Sequence, residues 1–348
     1  MTAEGHVDGR GLLDQSYVVD LHIHVPSFVP QPFRAAWRAL TPGAPPPVGL
    51  GAIGEGVNAV VVTAVGDPVV TRCYRPRSRW RAVDEQLSQI ERQAAAAGAV
   101  LVRSVAELTS ARDRHRLAVL LGVEGADALG SDVDRVDAWY ERGVRLVTLV
   151  HLGDNLLGST CLPWQRYLGP LPARRFRAPG LSELGTRVVA RMNRLGVLVD
   201  VAHADSDTLL AVVESTAAPI VSSHTGARAR QDFPRYLTDD ELRAIAGTGG
   251  VVGLWPYRRG RTGVRDLADL VAHARHIADV IGPAHLALGT DLNGIPGAMA
   301  GFRGPRDLVG VTSALLDAGF EHPEVAGILG GNARRVLTRV EECASARP

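Results

Sequence analysis

The chain has 348 residues, with 38 basic and 37 acidic side chains and a 46% share of hydrophobic residues. This composition is typical of a globular protein and excludes the collagen, coiled-coil and disordered classes. A net charge of +1 provides no field that would attract nucleic acid or an anionic membrane. No Lys occurs, so every basic residue is Arg. Schiff-base, P-loop and carbamylated-lysine chemistry are therefore excluded.

Three features of the sequence concern the cellular compartment. The cysteines are odd in number and lack the paired spacing of thiolate zinc or redox sites; they are Cys73, Cys161 and Cys343. The first residues, MTAEGHVDGRGLLDQ, contain no apolar stretch typical of a secretory leader. No apolar run approaches the roughly 18 residues that span a membrane. We therefore expect a cytoplasmic protein with reduced thiols and no membrane partner.

Eight short runs rich in apolar and β-branched residues alternate with stretches of helical period, which is typical of βαβ units and a parallel sheet. The runs lie at 17–24, 57–65, 117–125, 144–151, 197–203, 219–224, 250–257 and 285–291. Between the last two, an apolar stripe predicts a helix; its members are Leu267, Leu270, Ala274, Ile277 and Ile281. The sequence therefore predicts an α/β fold, a single (β/α)8 TIM-type barrel that forms one domain over residues 1–348.

Two long segments lack regular patterning. Residues 26–50 contain seven prolines, and residues 152–180 contain the run PWQRYLGPLPARRFRAPG. Each follows a predicted strand, and in a barrel the loops after strands lie on the catalytic face. We expect both to be extended loops that act as lids or interface segments, with a disordered insertion as the alternative.

Potential metal ligands stand at the ends of most predicted strands. The first strand ends in His22 and His24, and a two-residue step on a strand points both imidazoles to one face. Later strand ends carry a carboxylate or an imidazole, at Glu124, His151, His203, His224 and Asp291. Imidazole and carboxylate are ligands of zinc and related divalent ions, so the set predicts a metal site at the barrel mouth. Because no lysine is available for carbamylation, Glu124 is the expected anionic bridge between two metals.

Eight motifs in chain order resemble those of the membrane (renal) dipeptidase family, binuclear zinc peptidases with an amidohydrolase-type barrel. They extend from about residue 18 to 340 and read DLHIH, GVEGADAL, RGVRLVTLVHLGDN, GLSELGTRVVARMNRLGVLVDVAHAD, PIVSSHTGARA, RYLTDDELRAIAGTGGVVG, HLALGTDLNG and ILGGNARRVL. The resemblance implies two divalent ions, with zinc expected, and hydrolysis of the amide bond of a dipeptide or related small amide. It also implies that a metal-bridging hydroxide is the nucleophile, because metal lowers the pKa of water from about 15.7 to about 7.

The same resemblance gives each site residue an expected role. It implies that one ion is bound by His22 and His24 and the other by His203 and His224. Glu124 would bridge the two ions. His151 is expected to contact the scissile carbonyl oxygen as charge develops there. Asp291 would move protons at the bridging water and the leaving amine. Arg235 would pair with the substrate carboxylate, which a guanidinium binds bidentately.

Three positions depart from the family pattern. His24 stands where the family usually has an aspartate, Asp127 where it has a histidine, and Asn293 where it has a second aspartate. Imidazole in place of a carboxylate leaves the cations less neutralised. Asp127 either restores the missing charge from behind the ligands or repels a substrate carboxylate. These changes predict a narrower substrate range than that of a general dipeptidase.

Two other functions stay open at this point. One is another metal-dependent reaction on the same barrel, such as lactam hydrolysis or decarboxylation of a specialised metabolite, because fold does not fix chemistry. The other is a non-catalytic relative that binds a ligand or partner. The polar residues at the strand ends favour an enzyme. Its expected partner is a small-molecule substrate and not nucleic acid, and a homodimer is an open alternative.

Overall fold

The computed structural model describes residues 8–75, 78–167 and 179–346. Each of the eight predicted runs overlaps one of the strands in this part of the chain. The strands are β1 Val19–Ile23, β2 Ala59–Val65, β3 Val100–Leu101, β4 Ala118–Glu124, β5 Val144–Thr148, β6 Leu198–Asp200, β7 Ile220–Thr225, β8 Val251–Leu254, β9 Arg258–Arg259, β10 Thr262–Gly263 and β11 Leu286–Leu288.

Helices occupy most of the segments between the strands. The α-helices are α1 Gly9–Gln15, α2 Arg34–Leu40, α3 Leu50–Ile53, α4 Pro68–Thr71, α5 Arg79–Ala96, α6 Val105–Asp113, α7 Arg135–Arg142, α8 Glu183–Leu195, α9 Ser206–Ser215, α10 Asp239–Gly247, α11 Leu267–Ile281, α12 Leu308–Asp317, α13 His322–Ala326 and α14 Asn332–Ser345. Short 3-10 helices lie at Gln31–Phe33, Ala126–Leu129, Trp164–Tyr167, Pro283–His285 and Pro305–Asp307, and a π-helical turn at Gly327–Gly331. The predicted apolar stripe coincides with α11, where Leu270, Ala274 and Ile277 are buried.

Eight of the strands close into a parallel barrel. The order around it is β1, β2, β4, β5, β6, β7, β8 and β11, and β11 returns to pair with β1 at Leu288 and Asp20. The α/β barrel predicted from the sequence is therefore confirmed. The two-residue strand β3 is an addition, which pairs with the start of β4 at Ala118 and Val119, before β5 begins. β9 and β10 form a separate antiparallel hairpin.

The barrel strands are mostly apolar because their side chains pack both inward on the barrel axis and outward on the helices. All seven residues of β2 and all seven of β4 are buried. Glycine allows close approach between β7 and its neighbours: a Cβ at Gly253 on β8, or at Gly289 just after β11, would overlap the carbonyl oxygen of Ser223 on β7. Any larger residue there would push neighbouring strands apart.

The proline-rich segment, residues 26–50, lies over the carboxyl ends of the barrel strands. Its residues Phe28, Trp37 and Leu40 line a cavity at the barrel mouth, so it has the position expected of an active-site loop. Of the second predicted loop, 152–180, residues 168–178 lie outside the described part of the chain. None of the described helices combines the length and apolar composition needed to cross a membrane.

Candidate metal centre

Glu124 is the last residue of β4, and its carboxylate lies among four imidazoles. Its Oε1 is 3.3 Å from Nε2 of His22, 3.2 Å from Nε2 of His203 and 3.6 Å from Nε2 of His224. Its Oε2 is 3.3 Å from Nε2 of His24. All five side chains are buried. The structure therefore brings together the five residues that the sequence suggested as metal ligands.

The four imidazoles form two close pairs. Nε2 of His22 and Nε2 of His24 are 3.3 Å apart, as the two-residue step along β1 predicted. Nε2 of His203, just after β6, is 3.1 Å from Nε2 of His224 on β7. Two neutral imidazole nitrogens can share only one proton, and here two such pairs adjoin one carboxylate. This donor set fits divalent cations better than it fits a hydrogen-bond network.

Buried polar groups hold two of the four imidazole rings, those of His24 and His224, from behind. Nδ1 of His24 lies 3.1 Å from the carbonyl oxygen of Thr63, and Nδ1 of His224 lies 2.9 Å from Oγ of Ser223. The Ser223 hydroxyl also lies within hydrogen-bond reach of Asp200, whose other oxygen accepts backbone N–H groups. Contacts at the distal ring nitrogen orient a metal-binding histidine and fix its tautomer. Sequence analysis missed Asp200, because an aspartate within an apolar strand carries no pattern that reveals which group it supports.

Burial and neighbouring charge set the protonation of these groups. Burial lowers the pKa of His203 and of His224 well below the usual value, so both rings are neutral. Burial alone would raise the pKa of Glu124, but His151 and His22 hold it well below its usual range. Neutral imidazoles and a carboxylate are the forms that coordinate metals. Three sets of described side chains lie close enough to hold an ion: His22, Glu124 and His224; His22, His24 and Asp291; and Glu124, His151 and His203.

His151 faces the Glu124 carboxylate from the loop after β5. Its Nε2 is 3.5 Å from Oε2 of Glu124, and its Nδ1 is 2.7 Å from Oδ2 of Asp67. The other oxygen of Asp67 caps α4 by accepting from the N–H groups of Val69 and Val70. Burial lowers the pKa of His151, but the charges of Glu124 and Asp67 outweigh it and raise that pKa to about 9. Sequence analysis missed Asp67, because an aspartate before a proline reads as an ordinary helix cap.

Asp291 and Asp127 face different surroundings. Oδ1 of Asp291 lies 3.6 Å from Nε2 of His24, and burial raises the pKa of Asp291 to about 8. Asp127 lies behind the centre and accepts from Nδ2 of Asn155 at 3.2 Å. Burial, together with the charge of Asp67, raises the pKa of Asp127 to about 7. Asp291 is among the described residues that line the cavity and Asp127 is not.

Arg235 lies beneath the wall of the cavity. Its side chain is 3% exposed, and its guanidinium lies over the ring of Trp255, 4.8 Å from the centroid. Its Nη2 donates to the carbonyl oxygen of His224 at 3.3 Å. Within the described residues its buried Nε has no hydrogen-bond partner. Arg235 thus brings an incompletely paired positive charge close to the centre, and its pairing with a substrate carboxylate stays a prediction.

A cavity of about 640 Å³ lies above the centre. Five polar residues lie at its floor: His24, Glu124, His151, His203 and Asp291. Its walls are mostly apolar or aromatic and include Phe28, Trp37, Val69, Trp164, Trp255 and Tyr257. This volume is within the range of small-molecule sites. A substrate that enters the cavity therefore meets the candidate ligands at its inner end.

Two of the floor residues adopt a left-handed backbone. The φ angle is 67° at His203 and 54° at Asp291. This conformation costs a non-glycine residue roughly 1–2 kcal/mol and persists only where the surrounding structure enforces it. At both positions the backbone conformation directs a polar side chain to the cavity floor.

Comparison with known proteins identifies relatives of the chain. The sequence model described as Membrane dipeptidase (Peptidase family M19) matches residues 8–348. Dipeptidase aclJ from Aspergillus oryzae is 32% identical over 234 residues, which are 66% of this chain and 53% of that protein. Dipeptidase verJ from Clonostachys rogersoniana is 29% identical over 281 residues, which are 80% of this chain and 69% of that protein. The match to aclJ therefore spans about half the length of that relative.

Solved structures have the same fold. The probable dipeptidase PvdM from Pseudomonas aeruginosa has a TM-score of 0.82 at 19% identity, over 97% of this chain and 98% of that one. A metallo peptidase from Rhodobacter sphaeroides, liganded with a phosphinate mimic of L-Ala-D-Ala, has a TM-score of 0.77 at 21% identity, over 93% and 99%. Identity this low supports the barrel fold alone. Because the family's sequence model matches almost the whole chain, this protein belongs to the membrane dipeptidase family.

Proposed function

We propose that this protein is a metal-dependent dipeptidase, which hydrolyses the amide bond of a dipeptide or a related small amide. The observation that carries the proposal is the position of Glu124, whose two oxygens lie within 3.6 Å of four buried imidazole nitrogens. Family membership supports a hydrolytic reaction, and the relatives aclJ and verJ are named dipeptidases. The match covers only part of those relatives, so the activity of this chain is inferred from its own site.

The ligand set fits two divalent ions. His22 and His24 would hold one ion, His203 and His224 the other, and Glu124 would bridge them. Imidazole and carboxylate ligands suit zinc, and a chain without lysine leaves a carboxylate as the bridging anion. Ions bound there would lower the pKa of water from about 15.7 to about 7 and so supply a nucleophile at neutral pH.

Three side chains of the protein, those of Asp67, His151 and Asp291, stabilise charge or transfer protons. His151, which Asp67 orients and helps to keep protonated, can donate from Nε2 to a carbonyl oxygen that gains negative charge. Such a donor is typically worth about 10²–10³ in rate. Asp291, whose Oδ1 lies 3.6 Å from Nε2 of His24 at the floor, can accept a proton from the attacking water and return it to the leaving amine.

Arg235 supplies positive charge for the substrate carboxylate. Its buried guanidinium lies against Trp255, which is part of the cavity wall. Solvent screens a buried charge only weakly, so a carboxylate on this side of the cavity is attracted even without direct contact. This attraction would set the direction in which a dipeptide enters.

Metal analysis combined with a dipeptide panel tests the proposal. Protein purified in excess zinc is expected to retain about two ions per chain and to hydrolyse members of a mixed L,L and L,D panel. Glu124→Gln should lose metal and activity, whereas the matched control Glu141→Gln, at an exposed position of α7, should keep both. Two ions without dipeptide hydrolysis would favour another metal-dependent reaction on this barrel. Less than one tightly bound ion would favour a non-catalytic relative.

A further inference from the structure

One side chain fastens the proline-rich segment over the cavity. Nδ2 of Asn293 donates to the carbonyl oxygen of His24 at 2.6 Å and to that of Val48 at 3.0 Å. Its Oδ1 accepts from the N–H of Val48 at 2.8 Å. A carboxylate has no N–H and could make neither of the first two bonds, so the contact requires the amide of asparagine. Asn293 thereby joins the segment to the end of β1 and to the loop after β11.

The fastened segment contributes an aromatic wall. A second tie is the bridge between Gly43 and Gly297. Trp37 on α2 packs edge-on against Phe28, with ring centroids 5.5 Å apart, and Phe28 packs on the ring of His24 with centroids 4.8 Å apart. Phe28 and Trp37 both line the cavity. The aromatic wall therefore begins at the ring of His24, a candidate metal ligand.

The remaining wall is also mostly apolar. It includes Val65, Val69, Val70, Trp255 and Tyr257. The rings of Trp255 and Tyr257 stack with centroids 4.2 Å apart, which closes the surface between them. Arg258 and Arg259 also line the cavity, and each donates to a backbone carbonyl oxygen at an exposed position. Above the floor, the cavity therefore favours an apolar substrate group over a polar one.

We propose that the proline-rich segment is a specificity-determining element, which selects substrates with a large apolar or aromatic side chain for the space beside His24. The inference rests on the proposed function for the substrate backbone, that of a dipeptide or a related small amide. Phe28 and Trp37 contact the substrate side chain, and Asn293 is a positioning residue that acts through the segment. A methyl side chain leaves this wall hydrated, whereas a benzyl group covers it.

Calorimetric titration of the zinc-loaded protein with phosphinate dipeptide analogues tests the inference. One analogue has methyl groups at both side-chain positions, and two others have a benzyl group at one or the other position. An apolar pocket discriminates by about 10- to 200-fold per methylene, so one benzyl analogue is expected to bind at least about tenfold tighter than the dimethyl analogue. Trp37→Ala should lower this preference to about threefold or less, and Trp37→Phe should retain most of it.

A second pair of variants keeps the test independent of folding. Leu40 on α2 is 66% exposed and lines the cavity, so Leu40→Ala should fold and should weaken the preference. Its matched control is Leu210→Ala, which removes an exposed leucine from α9 and should leave the preference unchanged.

Asn293→Asp tests the fastening itself. Asn293 has a φ angle of 70°, which aspartate also tolerates, so the backbone should be kept while both donated bonds are lost. The zinc content should stay at the wild-type level, and the benzyl preference should fall as it does in Trp37→Ala. Unchanged zinc content together with a lost benzyl preference would show that the substitution displaces the segment and leaves the metal centre intact.

Three results would overturn the inference: equal affinity for the three analogues, tighter binding of the dimethyl analogue, or no binding of any of them. Full preference in both Trp37→Ala and Leu40→Ala would also overturn it. Hydrolysis assays separate this inference from the proposed function. Dipeptide hydrolysis without a benzyl preference contradicts the inference alone, whereas a benzyl preference without any dipeptide hydrolysis contradicts the proposed function alone.

Discussion

Asp67 sets both the orientation and the charge of His151. Two backbone N–H groups at the start of α4 hold one oxygen of Asp67, so the other oxygen is fixed where it meets Nδ1 of the imidazole. This contact keeps a proton on Nδ1 and turns Nε2 toward Glu124. The orientation of His151 is therefore determined by a turn that follows β2, far from it in sequence.

We expect Asp67→Asn to lower kcat while the zinc content stays unchanged. The charge of Asp67 helps to raise the pKa of His151 to about 9, so its removal lowers that pKa and moves the alkaline limb of the kcat profile to lower pH. His151→Ala should lose about 10²–10³ in kcat. A pH–rate profile combined with elemental analysis measures these effects. An alkaline limb that does not move in Asp67→Asn would contradict the role assigned to Asp67.

Asp127 is expected to lower stability as the pH rises from the acidic range to neutral. Burial and the charge of Asp67 raise its pKa from 3.8 to about 7. A carboxyl group whose pKa is raised by folding contributes its full stability below the unfolded pKa, and this contribution is lost as pH rises from the unfolded pKa to the folded pKa. Between pH 5 and pH 7 the loss is about 2 kcal/mol.

Thermal unfolding of Asp127→Asn measures this effect. Asparagine has the shape of the protonated acid, so the variant should raise Tm more at pH 8 than at pH 5. Asp14→Asn, at an exposed position of α1, is the control and should shift Tm equally at both pH values. The same equal shift in Asp127→Asn would refute the buried-acid interpretation.

The sequence predicted the candidate ligands better than their supporting residues. His22 and His24 were predicted because a two-residue step on a strand fixes their common face. Asp67 was missed because its cap to α4 is local, whereas its contact with His151 is formed only in the closed barrel. The repulsive alternative for Asp127 stays a prediction; the structure shows only that the 3-10 helix at Ala126–Leu129 carries this side chain away from the cavity lining.

At the scale of elements, the identity of the strands was predictable and their bounds were not. The predicted run 17–24 corresponds to β1 at Val19–Ile23, so the prediction begins two residues too early and ends one residue too late. The strand β3 could not be predicted, because its pairing depends on the position of β5. β5 first pairs with β4 at Val144 and Leu121, which leaves the start of β4 available for β3. Hydrophobic pattern reports burial, whereas strand ends depend on the neighbouring strand.

Close packing between β7 and β8 gives a prediction for Gly253. Gly253→Ala is expected to destabilise the protein by about 3 kcal/mol, because its Cβ would overlap the carbonyl oxygen of Ser223. Gly247→Ala is the control: its Cβ meets no atom within 4 Å, and alanine at the end of α10 should stabilise by about 0.4–1 kcal/mol. Urea unfolding measures both variants. Equal unfolding midpoints for Gly253→Ala and the unsubstituted protein would mean that the strands move apart without loss of stability.

At the scale of the whole molecule, the candidate centre connects strands from all around the barrel. Ions bound there stabilise only the closed form, so zinc should raise Tm relative to protein in chelator. One site contributes about 2.7 kcal/mol when free zinc is 100 times its Kd. Glu124→Gln should abolish the zinc-dependent part of the rise and retain the rest of the fold. A Tm that does not respond to zinc would contradict binding at this centre.

Three statements about the whole molecule stay predictions. They are the single domain over residues 1–348, the cytoplasmic location and the alternative of a homodimer. Limited proteolysis, cell fractionation and light scattering, respectively, would test them.

Closure of the barrel has a consequence for the order of events during synthesis. β1 pairs with β11, and Asp20 accepts from Thr290, so β1 is synthesised more than 250 residues before the strand that completes its pairing. A chain grows at about 5–20 residues per second, and a domain folds as a unit. Until β11 leaves the ribosome, the first strand has an unpaired edge and the nascent chain lacks Asp291. We therefore expect metal to bind after β11 is made, because the candidate ligands converge only in the closed barrel.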